Sequence, residues 1–330
     1  MRVAIVGATG AVGQELLALL DERSFPLASL RLFASARSAG RTLRFGGRTL
    51  TVETLPETGD LASDLVFSSA GGDLARAQAW RWVEQGALVI DNTSAWRLDE
   101  RVPLVVPEVN VEAARAHRGV IANPNCSTII ALMALAPLHR AFGLRRVTVA
   151  TYQAVSGAGQ AGIEELTEQT RAVLAGEDTQ PRTFTHPIAF NLFSHDSAVG
   201  PDGYNLEERK LLCESRKILD APQLQVSATC VRVPVLRAHA EAMHAEFERP
   251  VGETEARAVL ARAPGVRLVD DRASNTFPMP LEASGRDEVL VGRVRADASS
   301  PGAVALFVVG DQIRKGAALN AVQIAEALGA

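Results

Sequence analysis

Apolar positions along the chain follow two different patterns. Up to residue 125, short unbroken apolar runs alternate with stretches of helical spacing. Arg2–Val6 is such a run, ending at Gly7, as a strand buried on both faces should. Leu16, Leu17 and Leu20 then recur at helical spacing. Leu30–Ala34, Leu65–Phe67, Leu88–Ile90 and Val120–Ile121 read as further strands, with a helical pattern (Leu74, Ala77, Trp80, Val83) between two of them. Arg41–Leu55 alternates around Gly46-Gly47, which predicts a hairpin. Strand-helix alternation of this kind predicts an α/β domain of Rossmann type, with a mainly parallel, doubly wound sheet.

Past Ser127 the pattern changes. A long apolar helix, Thr128–Phe142, leads into an extended run, Val147–Gln153. Strands predicted at Val226–Val235, Ala242–Phe247, Val289–Arg295 and Ala303–Val309 suit an antiparallel or mixed sheet. Helices at Asn205–Leu219 and Glu253–Arg262 separate some of them, giving an α+β domain. Lys315–Leu328 is again helical. Gly176–Gly203 is the longest irregular stretch, a kind of segment that often carries function.

Composition narrows the classes. Hydrophobic residues at 47% and charged residues at 22% exclude disorder as the main theme. Lysine and arginine number 34 against 38 acidic residues, a net charge of −4. That balance offers no basic field for nucleic acid or an anionic membrane. No apolar run approaches the ~18 residues of a membrane span. Met1–Leu20 imitates a signal peptide, but three glycines and Gln14-Glu15 interrupt it, so it is expected to stay in the mature protein. Three cysteines, Cys126, Cys213 and Cys230, have no C-x-x-C spacing. They argue against a disulfide framework or a metal cage and suit a reducing cytoplasm.

Several motifs carry candidate chemistry. Gly7-Ala-Thr-Gly10-Ala-Val-Gly13 joins the first strand to the first helix, where glycines let backbone approach a pyrophosphate; an ordinary tight turn is the alternative. After the second strand, Ser35-Ala-Arg37-Ser38 places a guanidinium and hydroxyls where an NAD site usually has an acid. They suit the 2′-phosphate of NADP, or else form a plain solvated loop. Cys126 stands at the start of the long apolar helix, where the helix dipole favours a thiolate. His239 is flanked closely by Arg237 and Glu241. Glu207 and Lys210, three apart, read in isolation as a solvated ion pair.

The chain resembles the bacterial aspartate-semialdehyde dehydrogenases over nearly its whole length. Matching segments are GATGAVG at Gly7, ASARSAG at Ala34, DNTSAWR at Asp91, VVPEVN at Val105 and NPNCST at Asn123. QAVSGAG at Gln153, EERK at Glu207, SATCVRVPVLRAHAEA at Ser227 and GAALNAVQIAE at Gly316 continue the series. The resemblance implies reversible, phosphate-dependent reduction of β-aspartyl phosphate to aspartate β-semialdehyde with NADPH, in lysine, threonine, methionine and diaminopimelate biosynthesis. It implies Cys126 as nucleophile and His239 as acid/base. Gln153 would hold the substrate near the cysteine, Arg232 its α-carboxylate and Glu207 its amino group. Arg97, Lys210 and Asn125 would hold phosphate. Cofactor contacts would fall on Gly7, Thr9, Gly10, Ala11, Val12, Gly13, Arg37, Ser38, Ser156, Gly157 and Asn320, with no metal. Residues 1–126 plus 314–330 would form the NADP-binding domain and 127–313 the catalytic and dimerisation domain. A homodimer or dimer of dimers is the expected assembly. Two alternatives remain: N-acetyl-γ-glutamyl-phosphate reductase, with the same Cys-His chemistry, and a non-catalytic NADP-binding regulator.

Overall fold

The computed structural model describes residues 1–57 and 59–329; Thr58 and Ala330, both in segments assigned above to the NADP-binding domain, lie outside the described residues. Contacts divide the chain into two units, Met1–Pro124 with Ala317–Ala330, and Asn125–Gly316. These limits lie two or three residues from the expected ones, and the shift places Asn125 and Cys126 in the second unit.

In the first unit the strands are β1 (Arg2–Val6), β2 (Ser29–Ala34), β3 (Thr42–Phe45), β4 (Arg48–Thr54), β5 (Leu65–Ser68), β6 (Leu88–Asp91) and β7 (Val120–Ala122). They form one sheet in the order β3-β4-β2-β1-β5-β6-β7. Every pair is parallel except the β3–β4 hairpin, which turns at Gly46-Gly47. The helices are α1 (Ala11–Glu22), α2 (Gly72–Glu84) and α3 (Pro107–Ala114). Val3, Ile5, Leu32, Phe67 and Ile90 of the sheet share a core with Leu16, Leu17 and Leu20 of α1. The strand order runs outward in both directions from β1. In such sheets ligands bind beyond the carboxyl ends of the strands at that switch point, where Gly7 and Gly10 lie.

The second unit contains α4 (Cys126–Phe142), β8 (Leu144–Gln153), α5 (Gln160–Leu174), β9 (Phe193–Ser194), α6 (Leu206–Ile218), β10 (Gln225–Arg232), β11 (His239–Phe247), α7 (Glu253–Leu260), β12 (Val266–Leu268), α8 (Pro280–Ala283), β13 (Val289–Ala296) and β14 (Val304–Gly310). Its mixed sheet runs β12-β13-β14-β11-β8-β10-β9. Every residue of α4 from Ser127 to Ala136 is buried, so the helix is apolar nearly all round, as a helix enclosed by its neighbours must be. After a π-helical turn at Arg314–Ala318, α9 (Leu319–Ala327) returns to the first unit. There Leu319, Val322, Ile324 and Ala325 complete the core. Among the described residues no helix is long and apolar enough to cross a membrane.

Several strand ends differ from the sequence pattern, β8 beginning at Leu144 rather than Val147 among them, and two of them lie at the site. The run expected to reach Val235 leaves the sheet at Arg232, because Pro234 has no N–H for a ladder. The next strand begins at His239 rather than Ala242, directly after Ala238 takes a left-handed turn at φ 74°. Both departures bear on the site, since Arg232 and His239 are the last and first residues of their strands.

Candidate active site

In the first unit the β1–α1 turn is tightly packed. Gly7 has φ +93°, and a Cβ there would lie 2.5 Å from the Ser69 carbonyl oxygen. A Cβ on Gly13 would lie 2.3 Å from the Gly7 oxygen, so this glycine lets α1 sit against the strand. Gly10 caps α1 without a side-chain hydrogen bond, and the first turn, Ala11 and Val12 included, holds no acid. The start of the helix is therefore disposed toward an anion. Thr9 Oγ1 lies 3.3 Å from Ser38 Oγ, which brings the turn and the segment after β2 together. Arg37 and Ser38 occupy a single 3-10 turn, Ala36–Ser38, with Arg37 exposed. A cavity of about 340 Å³ adjoins them, lined by Val6, Ala34, Ser35, Thr54, Leu55 and Leu74. The uncapped helix start, the apolar cavity and the nearby guanidinium fit a phosphorylated dinucleotide.

Two other candidates of this unit have side chains already engaged. Arg97 is buried and donates from Nε to the Asn123 carbonyl and from Nη2 to the Asn92 carbonyl, each at 3.0 Å. Asn320 is buried and donates to the Val105 carbonyl at 2.9 Å and to Asn123 Oδ1 at 2.7 Å.

In the second unit Cys126 is the first residue of α4. Asn125 Oδ1 accepts from the N–H groups of Ser127 at 3.1 Å and Thr128 at 3.3 Å, a side-chain cap that fixes the helix start around the thiol. A Cβ on Gly316 would lie 3.0 Å from Cys126 Cβ, so that glycine leaves room for the cysteine.

Glu207 is the hub of this site. Its Oε1 accepts from Asn125 Nδ2 at 2.8 Å and Gln153 Nε2 at 3.1 Å, and its Oε2 from Lys210 Nζ at 2.8 Å. Only 4% of Glu207 is exposed, so the pair with Lys210 is not the solvated surface pair that spacing alone suggested. Burial works against its charge, but Lys210, His195 and Asn125 outweigh it and hold the carboxyl well below its usual pKa. Gln153 also donates to Ser127 Oγ at 2.9 Å, beside Cys126. Its Oε1 is buried and has no partner.

Arg232 and His239 flank Gly157. A Cβ on Gly157 would come within 3.1 Å of Arg232 Nη1 and 3.5 Å of His239 Nε2. Arg232 donates from Nη1 to the Ala154 carbonyl at 2.9 Å, and its buried Nε has no partner. His239 Nδ1 accepts from the Ala154 N–H at 3.0 Å, so the neutral ring carries its proton on Nε2, which is also unpartnered. Burial first, and the Arg232 charge second, push the His239 pKa down to about 3. The ring is thus neutral at ordinary pH. Ser156 instead hydrogen-bonds Gln312.

The second unit therefore gathers Cys126, Asn125, Gln153, Glu207, Lys210, Arg232, His239 and Gly157 into linked contacts. Three buried polar atoms there, on Gln153, Arg232 and His239, have no hydrogen-bond partner. Cys230, in contrast, is enclosed in β10, where burial raises its thiol pKa far above the usual value. Sequence reasoning missed His195 and Phe184 of the irregular segment. His195 Nε2 lies 2.9 Å from Arg232 Nη2, and the Arg232 guanidinium lies 5.6 Å from the Phe184 ring centroid. It also missed Leu55 and Leu74 of the first unit's cavity, apolar residues with no chemical signature.

Residues 2–117 match the family model described as semialdehyde dehydrogenase, NAD binding domain, and residues 135–315 match semialdehyde dehydrogenase, dimerisation domain. An aspartate-semialdehyde dehydrogenase of Synechocystis is 52% identical over 328 residues, covering 99% of this chain and 97% of that protein. One from Bacillus subtilis is 46% identical over 337 residues, covering 99% and 97%. The crystal structure of aspartate semialdehyde dehydrogenase II from Vibrio cholerae superposes with a TM-score of 0.96 at 47% identity, covering 99% of this chain and 98% of that one. The same enzyme complexed with ASA gives the same values. A Candida albicans aspartate semialdehyde dehydrogenase with NADP matches at TM-score 0.77 and 26% identity, covering 100% and 98%. On these matches, which span both units, the chain belongs to the aspartate-semialdehyde dehydrogenase family of oxidoreductases.

Proposed function

We propose that this protein reduces β-aspartyl phosphate to aspartate β-semialdehyde, reversibly and with NADPH, through a thioester on Cys126. The observation that carries the reading is the cluster around Cys126. Asn125 caps the helix start at the thiol and is joined through Glu207 to Gln153 and Lys210, while Arg232 and a neutral His239, each with an unpartnered donor, meet at Ala154. The Cys126 thiolate attacks the acyl phosphate carbon, the C–O bond to phosphate breaks, and phosphate leaves with the electron pair. Asn125 and Lys210 are assigned to that phosphate. Arg97 is assigned a further contact, as a guanidinium suited to a phosphate dianion. Arg232 takes the substrate α-carboxylate and Glu207 its ammonium, which orients the carbonyl for attack. Gln153, whose Nε2 hydrogens go to Glu207 and Ser127, is assigned to hold the substrate near the sulfur through its unpartnered Oε1.

When bound, the nicotinamide supplies hydride to the thioester carbon, chemistry no side chain offers. Throughout, His239 Nε2–H donates to the carbonyl oxygen as negative charge develops on it. Collapse of the tetrahedral species re-forms C=O and expels the Cys126 thiolate. Microscopic reversibility assigns the same Nε2–H to the oxygen of the tetrahedral species in the oxidative direction, where it stabilises the oxyanion formed when the Cys126 thiolate adds to the aldehyde. Gly7, Thr9, Gly10, Ala11, Val12 and Gly13 would hold the pyrophosphate, and Arg37 with Ser38 the 2′-phosphate of NADP. Ser156, Gly157 and Asn320 are kept as further cofactor contacts. The role proposed is in aspartate-derived amino-acid biosynthesis, in a cytoplasmic homodimer.

The test compares aspartate semialdehyde with N-acetylglutamate semialdehyde, each with phosphate and NADP. An N-acetyl group removes the ammonium and leaves buried Glu207 short of its partner. Glu207 keeps Lys210 in that case, so loss of this one hydrogen bond between charged groups should discriminate by about 10- to 100-fold in kcat/KM. Comparable values for the two would favour the N-acetylated substrate class, and no turnover of either would favour a binding module.

A further inference from the structure

The segment between Gly176 and Gly203 is pinned to α5 by buried polar side chains. Glu165 accepts from the Arg182 N–H at 3.0 Å, and Gln169 Oε1 accepts from the N–H groups of Ile188 at 2.8 Å and Ala189 at 3.2 Å. So anchored, the segment presents Phe184 and His195 to Arg232. His195 Nε2 is 2.9 Å from Arg232 Nη2, and its Nδ1 is 3.1 Å from Ser197 Oγ and 3.2 Å from the Ser197 nitrogen. Ser197 Oγ in turn accepts from the Glu207 N–H at 3.2 Å.

These contacts decide the tautomer. Two donors, Arg232 Nη2–H and Ser197 N–H, face the two ring nitrogens, and a neutral imidazole accepts at only one. Arginine cannot accept and bears full charge, so its claim is the stronger. Nε2 is therefore the acceptor, and Nδ1–H donates to Ser197 Oγ. Arg232 is then held on two sides, by Ala154 through Nη1 and by His195 through Nη2, with Nε still unpartnered.

We propose that His195 is a positioning residue that aims Arg232 at the substrate carboxylate, and that through Ser197 it ties this contact to the helix bearing Glu207. The proposal rests on the reading of Arg232 as the carboxylate ligand. The groups facing His195 are Glu207 and Lys210 of α6, Arg232 of β10, His239 of β11 and neighbouring Asp196. Burial lowers its pKa; Glu207 and Asp196 oppose that, while Arg232 and Lys210 add to it. His195 accepts while neutral. Protonated in acid, it turns a cation toward Arg232 and the contact is lost.

Kinetics of His195→Leu, His195→Gln and Arg232→Lys test this, with KM and kcat read separately for aspartate semialdehyde between neutral and acid pH. His195→Leu should raise that KM about tenfold or more, the effect of losing a hydrogen bond to a charged group, with kcat nearly unchanged. The KM values for NADP and phosphate should not move. His195→Gln, which keeps an acceptor, should restore most of the affinity and remove the part of the acid rise in KM that the imidazole causes. If Arg232→Lys raises KM while His195→Leu does not, the inference fails and the carboxylate reading stands. If neither raises it, that reading fails too. Should His195→Leu not fold, an acid rise in KM identical in wild type and His195→Gln would overturn the proposal.

Discussion

Replacing Asn125 by aspartate changes little in shape but puts a second carboxylate beside Glu207. The side chain at this position accepts from the Ser127 and Thr128 N–H groups and donates from Nδ2 to Glu207 Oε1 at 2.8 Å. A carboxylate can keep the cap but cannot donate while ionised. At 2.8 Å two like charges repel by about 6 kcal/mol even at an effective dielectric of about 20. Both positions are buried, 5% and 4% exposed, so solvent relieves little of this. Glu207 is already held ionised by Lys210, so the new group takes the proton and then donates as the amide did. The cost is that of protonating an ordinary aspartic acid, about 4 kcal/mol at pH 7 and about 1.5 kcal/mol at pH 5. The folded state binds a proton that the unfolded chain releases above a pKa of about 3.9, so stability falls as pH rises. Urea denaturation of wild type and Asn125→Asp at pH 5, 6 and 7 should show a deficit growing by about 1.4 kcal/mol per pH unit. Asn125→Ala should instead show a nearly pH-independent loss of about 2–4 kcal/mol, from the cap and the buried acceptor together. An Asn125→Asp deficit that is absent, or equal at all three pH values, would refute the contact with Glu207.

Three further outcomes follow from the same contacts. Arg37→Asp should raise KM for NADP while leaving or improving use of NAD, since attraction to a 2′-phosphate becomes repulsion; an unchanged cofactor preference would assign the ribose to other residues. Gly157→Ala crowds Arg232 Nη1 at 3.1 Å and the His239 ring, and the shift of a few tenths of an ångström this forces should cost about tenfold in kcat/KM with thermal stability nearly unchanged. A wild-type kcat/KM would show that neither side chain needs its present place. Arg97→Leu should raise KM for phosphate in the oxidative direction without altering that for NADP, and a phosphate KM that stays put would remove Arg97 from that role.

What could be read from the sequence follows the physics of each element. The strands β1, β5, β6 and β7 of the first unit are almost wholly buried, so they appear as apolar runs, and Gly7 punctuates the first of them. The start of α4 was legible because a long apolar run opens just after Cys126, and that placement singled the cysteine out. Helix α5 was not, because the face that meets the irregular segment buries Glu165 and Gln169, which read as solvent-facing. Those two side chains satisfy backbone N–H groups far along the chain, a pairing without any local pattern. His195 was hidden for the same reason. Its meaning comes from Arg232, 37 residues away in sequence and 2.9 Å away in space. His239 and Glu207 had bland readings in isolation and became site residues through the family resemblance. The roles proposed for them rest on their burial, on the contacts of Glu207 with Asn125, Gln153 and Lys210, and on that of His239 with Ala154.

The claim on which the rest depends is that Cys126 carries the acyl group. Mixing the protein with aspartate semialdehyde and NADP in the absence of phosphate isolates that step, because the thioester then has no acceptor but water. The predicted result is a burst of about one equivalent of reduced cofactor per chain, followed by slow turnover that added phosphate accelerates. Cys213→Ala and Cys230→Ala should keep the burst, and Cys126→Ala should lose it while still binding NADP. A burst of undiminished size from Cys126→Ala would contradict the mechanism.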